Sequence, residues 1–301
     1  MTVEAAENDT IVFTPHRALY DITLRSATNS SGIADIHGQM FYDLQETCDS
    51  WTTTHRFILM YDYIDNPSSQ VVSEFTTVES KDGQKFEYRA RRVRDGEPQE
   101  EVAGSALKSN TNGKAFKAKY TYPEKLDMEL PGDTLFPTQH TMNVIRNALA
   151  GKKFIRGTVF DGSDTDGAYQ VSGLVLKAIS EPERKRIWPR GVDTDLARRP
   201  GWRTQVAIFP MVNKQESSSE YEMDMNLLEN GIVTDMNIKY SDFAITQSLK
   251  ALNAHDRPMC DANGKPIDAP VVTVPATDAS NTPPSVPAEP AKAAKSKAKA
   301  D

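Results

Sequence analysis

Residues 220–227 read EYEMDMNL, in which Tyr221, Met223, Met225 and Leu227 alternate with Glu222, Asp224 and Asn226. A period of two places the apolar side chains on one side of an extended chain and the polar ones on the other, which is a strand with one wet face. After Asn230 and Gly231, a pair suited to a left-handed turn, Ile232, Met236, Ile238 and Tyr240 resume an apolar face, so a hairpin is expected. The same period runs through WTTTHRFILMYDY at 51–63, KFEYRARRV at 85–93 and AFKAKYTY at 115–122. Asp82 with Gly83, Asp95 with Gly96, and Asn112 with Gly113 supply turns between such runs. About a dozen strands, each separated from the next by roughly 10–15 residues, predict an all-β, mainly antiparallel meander, barrel or sandwich.

One segment departs from this pattern. In FPTQHTMNVIRNALAGKK, at 136–153, Pro137 and Thr138 open a run with Met142, Ile145 and Leu149 at helical spacing, and Gly151 stands where a helix would be capped. A single amphipathic helix among many strands has to bury its apolar stripe against the sheet. The simplest geometry has it plugging a strongly curved sheet that cannot fill its own interior. No alternation of strand and helix appears, which excludes a parallel α/β fold.

A 33.4 kDa chain with 38% hydrophobic and 26% charged residues is long enough for one large β domain with a substantial core. No apolar run approaches the roughly 18 residues of a membrane span, and MTVEAAENDT at the start is acidic and polar. The net charge of −7 disfavours nucleic acid, whose phosphates require a basic face. Cys48 and Cys260 are the two cysteines in 301 residues, with no CxxC spacing and no adjacent histidine. Paired, they would staple the domain and place it in an oxidising compartment; unpaired, they would be two buried thiols packed as small hydrophobes. Periplasmic localisation would then require a mature chain from which a signal peptide has been removed. Residues 1–10 are expected to be flexible, 11–262 to form one domain, and the Ala-, Pro- and Lys-rich 263–301 to be disordered.

The residues that could carry chemistry are scattered. His16, His37, His55, His140 and His255 share no HxH, HExxH or i, i+4 spacing, so no metal site and no cofactor is expected. No GxSxG elbow is present for serine chemistry. DGSDTDG at 161–167 does not have EF-hand spacing, because neither a glycine at the sixth position nor a glutamate at the twelfth is in place, and it reads as a turn. From Arg184 to Arg203 seven Lys or Arg face only Asp193 and Asp195. Within that stretch Arg184, Arg186, Trp188, Arg190, Arg198, Arg199, Trp202 and Arg203 form a candidate binding surface for planar anions, sugars or lipid head groups. The competing interpretation is a long connection whose tryptophans fold back onto the core. Arg89, Arg91, Arg92 and Arg94 read as a solvated sheet edge.

Several strings in order resemble one known family. They are HRALYDITL at 16–24, TCDSW at 47–51 leading into HRFILMYDY, FPTQH at 136–140, FDGSD at 160–164 and the late cysteine at 260. Together they resemble the EipB-like family of alphaproteobacterial periplasmic proteins associated with cell-envelope integrity. The resemblance implies a β-sheet spiral, an open overlapping barrel with a helix at its core from Phe136 to Gly151, locked by a Cys48–Cys260 disulfide. It supplies no catalytic residue. The resulting expectation is a monomeric, non-enzymatic periplasmic protein that binds a protein partner or an envelope component. One alternative is a half-open carrier of lipid or lipoprotein with an apolar cavity beside Met142, Ile145 and Leu149. Another is a hydrolase using His140 or His16 with a carboxylate.

Overall fold

The computed structural model describes residues 11–108, 116–211, 218–262 and 264–267. The chain divides into two units, Met1–Ile267 and Asp268–Asp301, and all described residues belong to the first. The expectations for residues 1–10, for the turn at Asn112 and Gly113 and for nearly all of the tail lie outside them.

Strand-forming alternation produces β1 (His16–Ala27), β2 (Ile33–Glu46), β3 (Ser50–Tyr63), β4 (Ser69–Ser80), β5 (Lys85–Arg94), β6 (Glu97–Lys108), β7 (Phe116–Tyr122), β8 (Leu126–Leu130) and β9 (Thr134–Leu135). The helix α1 (Pro137–Leu149) follows, then β10 (Phe154–Val159) and β11 (Tyr169–Ala178). A connection carries the short helices α2 (Glu181–Arg184) and α3 (Thr194–Ala197) on either side of β12 (Gly191–Val192). The chain ends in β13 (Gly201–Pro210), β14 (Tyr221–Leu228), β15 (Val233–Lys239) and β16 (Phe243–Ala254).

These sixteen strands make one sheet in the order β8-β7-β6-β5-β4-β3-β2-β1-β16-β15-β14-β13-β11-β10-β9, with β12 added against β16. Its two outermost strands, β8 and β9, are neighbours in the chain. Leu130 and Thr134 are separated by three residues, no more than about 14 Å of chain. The sheet must therefore curl until its edges nearly meet, and it forms a nearly closed barrel. The first and last long strands, β1 and β16, pair antiparallel at its middle.

The hairpin read from 220–240 is β14 and β15, paired through Met223↔Ile238 and Met225↔Met236. Its turn holds Gly231 at φ 86°, and a Cβ there would lie 2.1 Å from the Phe13 ring, so the residue is fixed by both conformation and space. Asp95 and Gly96 both have positive φ, 52° and 85°, as a two-residue hairpin turn requires.

The helix starts at Pro137 as read, and Gly151 beyond its end is left-handed at φ 70°. Its apolar stripe differs from the expected one. Ile145, Val144 and Ala148 are buried, Met142 is partly buried, and Leu149 is 46% exposed. The buried residues meet Phe13, Leu44, Trp51 and Ile155, while the last turn emerges into solvent. At the other end Phe136 stacks on Phe86 at 4.7 Å between ring centres, within a cluster that includes Tyr88, Phe116 and Phe160. The helix is thus anchored at its entry by aromatic packing and along one side by the sheet.

The basic run on β5 is not at an edge. That strand lies between β4 and β6, and its arginines meet acids across the ladder: Arg89 with Glu101 at 2.6 Å and Arg92 with Glu100 at 3.3 Å. Cross-strand charge pairing accounts for these two: Arg89 faces outward, alternating with the inward Phe86 and Tyr88, whereas Arg92 is at the rim of the interior. Cys48, in the turn between β2 and β3, is bonded to Cys260 beyond β16, with Cα atoms 5.8 Å apart. Among the described residues no helix is long and apolar enough to cross a membrane.

Candidate functional site

The sheet and one side of α1 border a half-open cavity of about 550 Å³, within the roughly 300–1,000 Å³ usual for ligand pockets. Strand pleating decides what faces it. On β3 the inward positions include Thr53, His55 and Phe57, and on β2 they include Met40 and Tyr42. Register sets His55 opposite Tyr42 on one side and Phe75 on the other. The rings form a continuous wall: His16 to Tyr42 at 5.1 Å, Tyr42 to His55 at 4.9 Å and His55 to Phe75 at 6.1 Å. Further round the sheet, Met223 and Met225 of β14 and Met236 of β15 supply a polarizable surface. The helix contributes Pro137, Thr138, His140, Thr141 and Val144. The cavity therefore lies along this side of the helix, away from the Met142, Ile145 and Leu149 positions expected from helical spacing.

Burial holds the imidazoles of His16, His55 and His140 at about 4, down from 6.5. His16 is held there despite the bond between Nδ1 and the Thr14 carbonyl oxygen at 2.7 Å. All three are consequently neutral near neutral pH. His55 has no hydrogen-bonding partner among the described residues, and the area it leaves accessible faces the cavity. Among the described residues neither His16 nor His140 is paired with a carboxylate. The histidines that are paired lie elsewhere: His255, whose Nε2 is 3.2 Å from Asp43, and His37, whose Nδ1 is 3.4 Å from Asp35 and 3.6 Å from Asp62. Burial raises the Asp161 carboxyl. At the rim, Arg92 and Glu100 are joined at 3.3 Å, and Glu74 is engaged by Arg56 at 3.2 Å.

Glu79, 1% exposed on β4, accepts the N–H of Thr138 at 2.8 Å and of Gln139 at 2.9 Å. It supplies the cap that Phe136 cannot. Burial pushes its carboxyl up to about 7, against the two N–H groups that favour the anion.

The basic connection is built differently from the surface expected. Arg186 lies 4.0 Å above the Trp188 ring and is held by Asp235 at 2.8 and 3.0 Å. Trp188 Nε1 donates to the Arg184 carbonyl at 3.0 Å, and Arg184 donates to the Arg198 carbonyl at 2.7 Å. Arg203 is paired with Glu183. Trp202 packs with Val175 and Leu227, so the two tryptophans belong to separate clusters. Arg190, Arg198 and Arg199 are exposed and meet no carboxylate among the described residues, and Ile187 between them and Arg186 is 99% exposed. In the 161–167 loop, Asp161 accepts from the backbone N–H and hydroxyl of Ser163, and Asp164 from the N–H of Asp166, which are turn contacts. One group of His and carboxylate side chains among the described residues could hold a cation. It is Asp35, His37 and Asp62, with ligand atoms within 4.8 Å of one another on the outer surface.

Sequence spacing passed over His55, Tyr42 and Gln247, a fully buried side chain whose amide has no partner. A polar residue at an inward position of an otherwise apolar strand face was the signal available, as in Trp51, Thr53, His55 and Phe57.

The model of the EipB-like family matches residues 7–256. The chain is 32% identical over 246 residues to the cell envelope integrity protein EipB of Brucella abortus (strain 2308), covering 80% of this chain and 84% of that protein. A crystal structure of a beta-barrel-like protein, a domain of unknown function from Brucella abortus, superposes with a TM-score of 0.74 at 29% identity, over 82% of this chain and 100% of that one.

Proposed function

This chain belongs to the EipB-like family, and from that premise we propose that it is a non-enzymatic periplasmic protein that supports cell-envelope integrity by holding an envelope component inside its curved sheet. The observation that carries the proposal is the cavity of about 550 Å³, lined by methionines and aromatic rings and bordered by charges of which Arg92, Glu100 and Glu74 are paired and Arg91 is exposed. Such a lining suits binding of an apolar ligand, since the aromatic and methionine side chains gain by excluding water. The imidazoles there have no carboxylate to orient them, which argues for binding over hydrolysis. The Cys48–Cys260 bond fits an oxidising compartment.

Native mass spectrometry of the full chain isolated from a bacterial periplasm tests this directly. An adduct of several hundred daltons that is released on denaturation is the expected result. A clean apo mass would overturn the cavity reading and leave a protein partner as the route to envelope function. The exposed Ile187 beside Arg190, Arg198 and Arg199 favours that second reading. An Ile187→Asp chain that still captures the same periplasmic protein as the unmodified chain would count against it.

A further inference from the structure

Resting on the cavity reading above, we infer that the ligand is a single long apolar chain bearing an uncharged hydrogen-bonding group, an acyl ester, amide or alcohol, seated against His55 and Tyr42. The wall at this place offers both halves of a neutral hydrogen-bonding pair. A neutral imidazole carries one donor and one acceptor, and a phenol can act as either. The His55 and Tyr42 rings are 4.9 Å apart, and neither residue's polar atoms have a partner among the described residues. Water reaches these atoms in the cavity, and an apolar chain that displaced it without offering a polar group would leave them unpaired, a cost that a ligand hydrogen bond removes.

Size and charge narrow the class. Dividing 550 Å³ by the roughly 30 Å³ that a water-sized group takes in a liquid leaves room for about eighteen such groups, which fits one long chain better than two. Met223, Met225 and Met236 are unbranched and adjust to a flexible chain in a way that branched side chains do not. A carboxylate has no counter-ion at this wall. The wall imidazoles are neutral near neutral pH, Asp161 is itself acidic, Arg92 is already joined to Glu100, and Arg91 is exposed at the rim. A desolvated anion would therefore be unpaired, whereas an ester, amide or hydroxyl would be satisfied.

The experiment loads the full chain with the neutral fluorescent probe N-phenyl-1-naphthylamine near neutral pH and displaces it with monoolein or with oleate, each below its aggregation threshold. Monoolein is expected to displace the probe at about a tenfold lower concentration than oleate, the factor set by one satisfied polar group. The double variant His55→Leu, Tyr42→Phe is expected to bind the probe and lose that preference, and His55→Gln to keep it. Equal displacement by the two ligands on the unmodified chain, or displacement favouring oleate, overturns the inference while leaving the cavity as a binding site. So does a preference that survives the double variant. Absence of probe binding to the unmodified chain overturns the cavity reading itself, and this inference with it.

Discussion

Three imidazoles largely shielded from water make the molecule sensitive to acid in a direction that can be worked out. His16, His55 and His140 resist protonation until about pH 4, while an unfolded chain takes up those protons near 6.5. Between those values the unfolded state binds more protons, so stability falls as pH falls, by about 3 kcal/mol for each histidine at the lower limit. Glu79 acts the other way: its folded-state value near 7 lies above the ordinary 4.5, so acidification relieves a buried charge. With three groups against one, the melting temperature should drop between pH 6.5 and 4, and His55→Gln should flatten that slope; a level profile over this range would contradict the burial argument. None of these environments could be read from the sequence. The five histidines have no mutual spacing, and the neighbours that bury them come from other strands.

The elements themselves were largely legible, because each is specified by a local period. Alternation at 220–227 and a helical stripe opened by Pro137 and followed by Gly151 are sufficient for β14 and α1. What holds α1 in place was not legible, since the acceptor for its first N–H groups is Glu79, 59 residues earlier. Replacing that side chain leaves two buried donors without a partner. Glu79→Ala is expected to destabilise the fold by about 2 kcal/mol in urea unfolding, and a change of only a few tenths would show that water caps the helix instead. The hairpin offers a second test. Gly231→Ala places a methyl group against Phe13 at a left-handed position, and a loss of about 1–3 kcal/mol is expected by the same measurement. The helix stripe was misassigned for a related reason. Spacing identifies residues on one side of a helix, but here the sheet covers Val144, Ile145 and Ala148 while Leu149 emerges from the barrel. The basic connection follows the competing interpretation, with its tryptophans folded back onto apolar clusters; that Trp188 and Trp202 join separate clusters was not legible, because it depends on pairings such as Trp202↔Leu227.

At the scale of the whole molecule, the Cys48–Cys260 bond closes 212 residues, and chain entropy sets an upper limit of roughly 5 kcal/mol on its stabilisation. Cys48→Ser should lower the denaturation midpoint in guanidinium and remove the difference between oxidised and reduced samples; identical midpoints for the two forms of the unmodified chain would show that the bond is dispensable. The all-β class was readable from alternation, whereas the closure of the sheet was not, because it depends on which strands become edges. That closure has a mechanical consequence. Strands β1–β8 and strands β9–β16 form two leaves, bound along a spine where β1 meets β16 and linked near that spine by the disulfide. Opposite the spine, β8 and β9 lie on either side of a seam crossed by the chain at 131–133, where Gly132 and Asp133 are exposed. A protease that cuts this crossing should leave one covalent species, which separates into two fragments on a denaturing gel only after reduction. The architecture is that of a locket, with its clasp in mid-chain and its hinge made where the two ends of the fold come together.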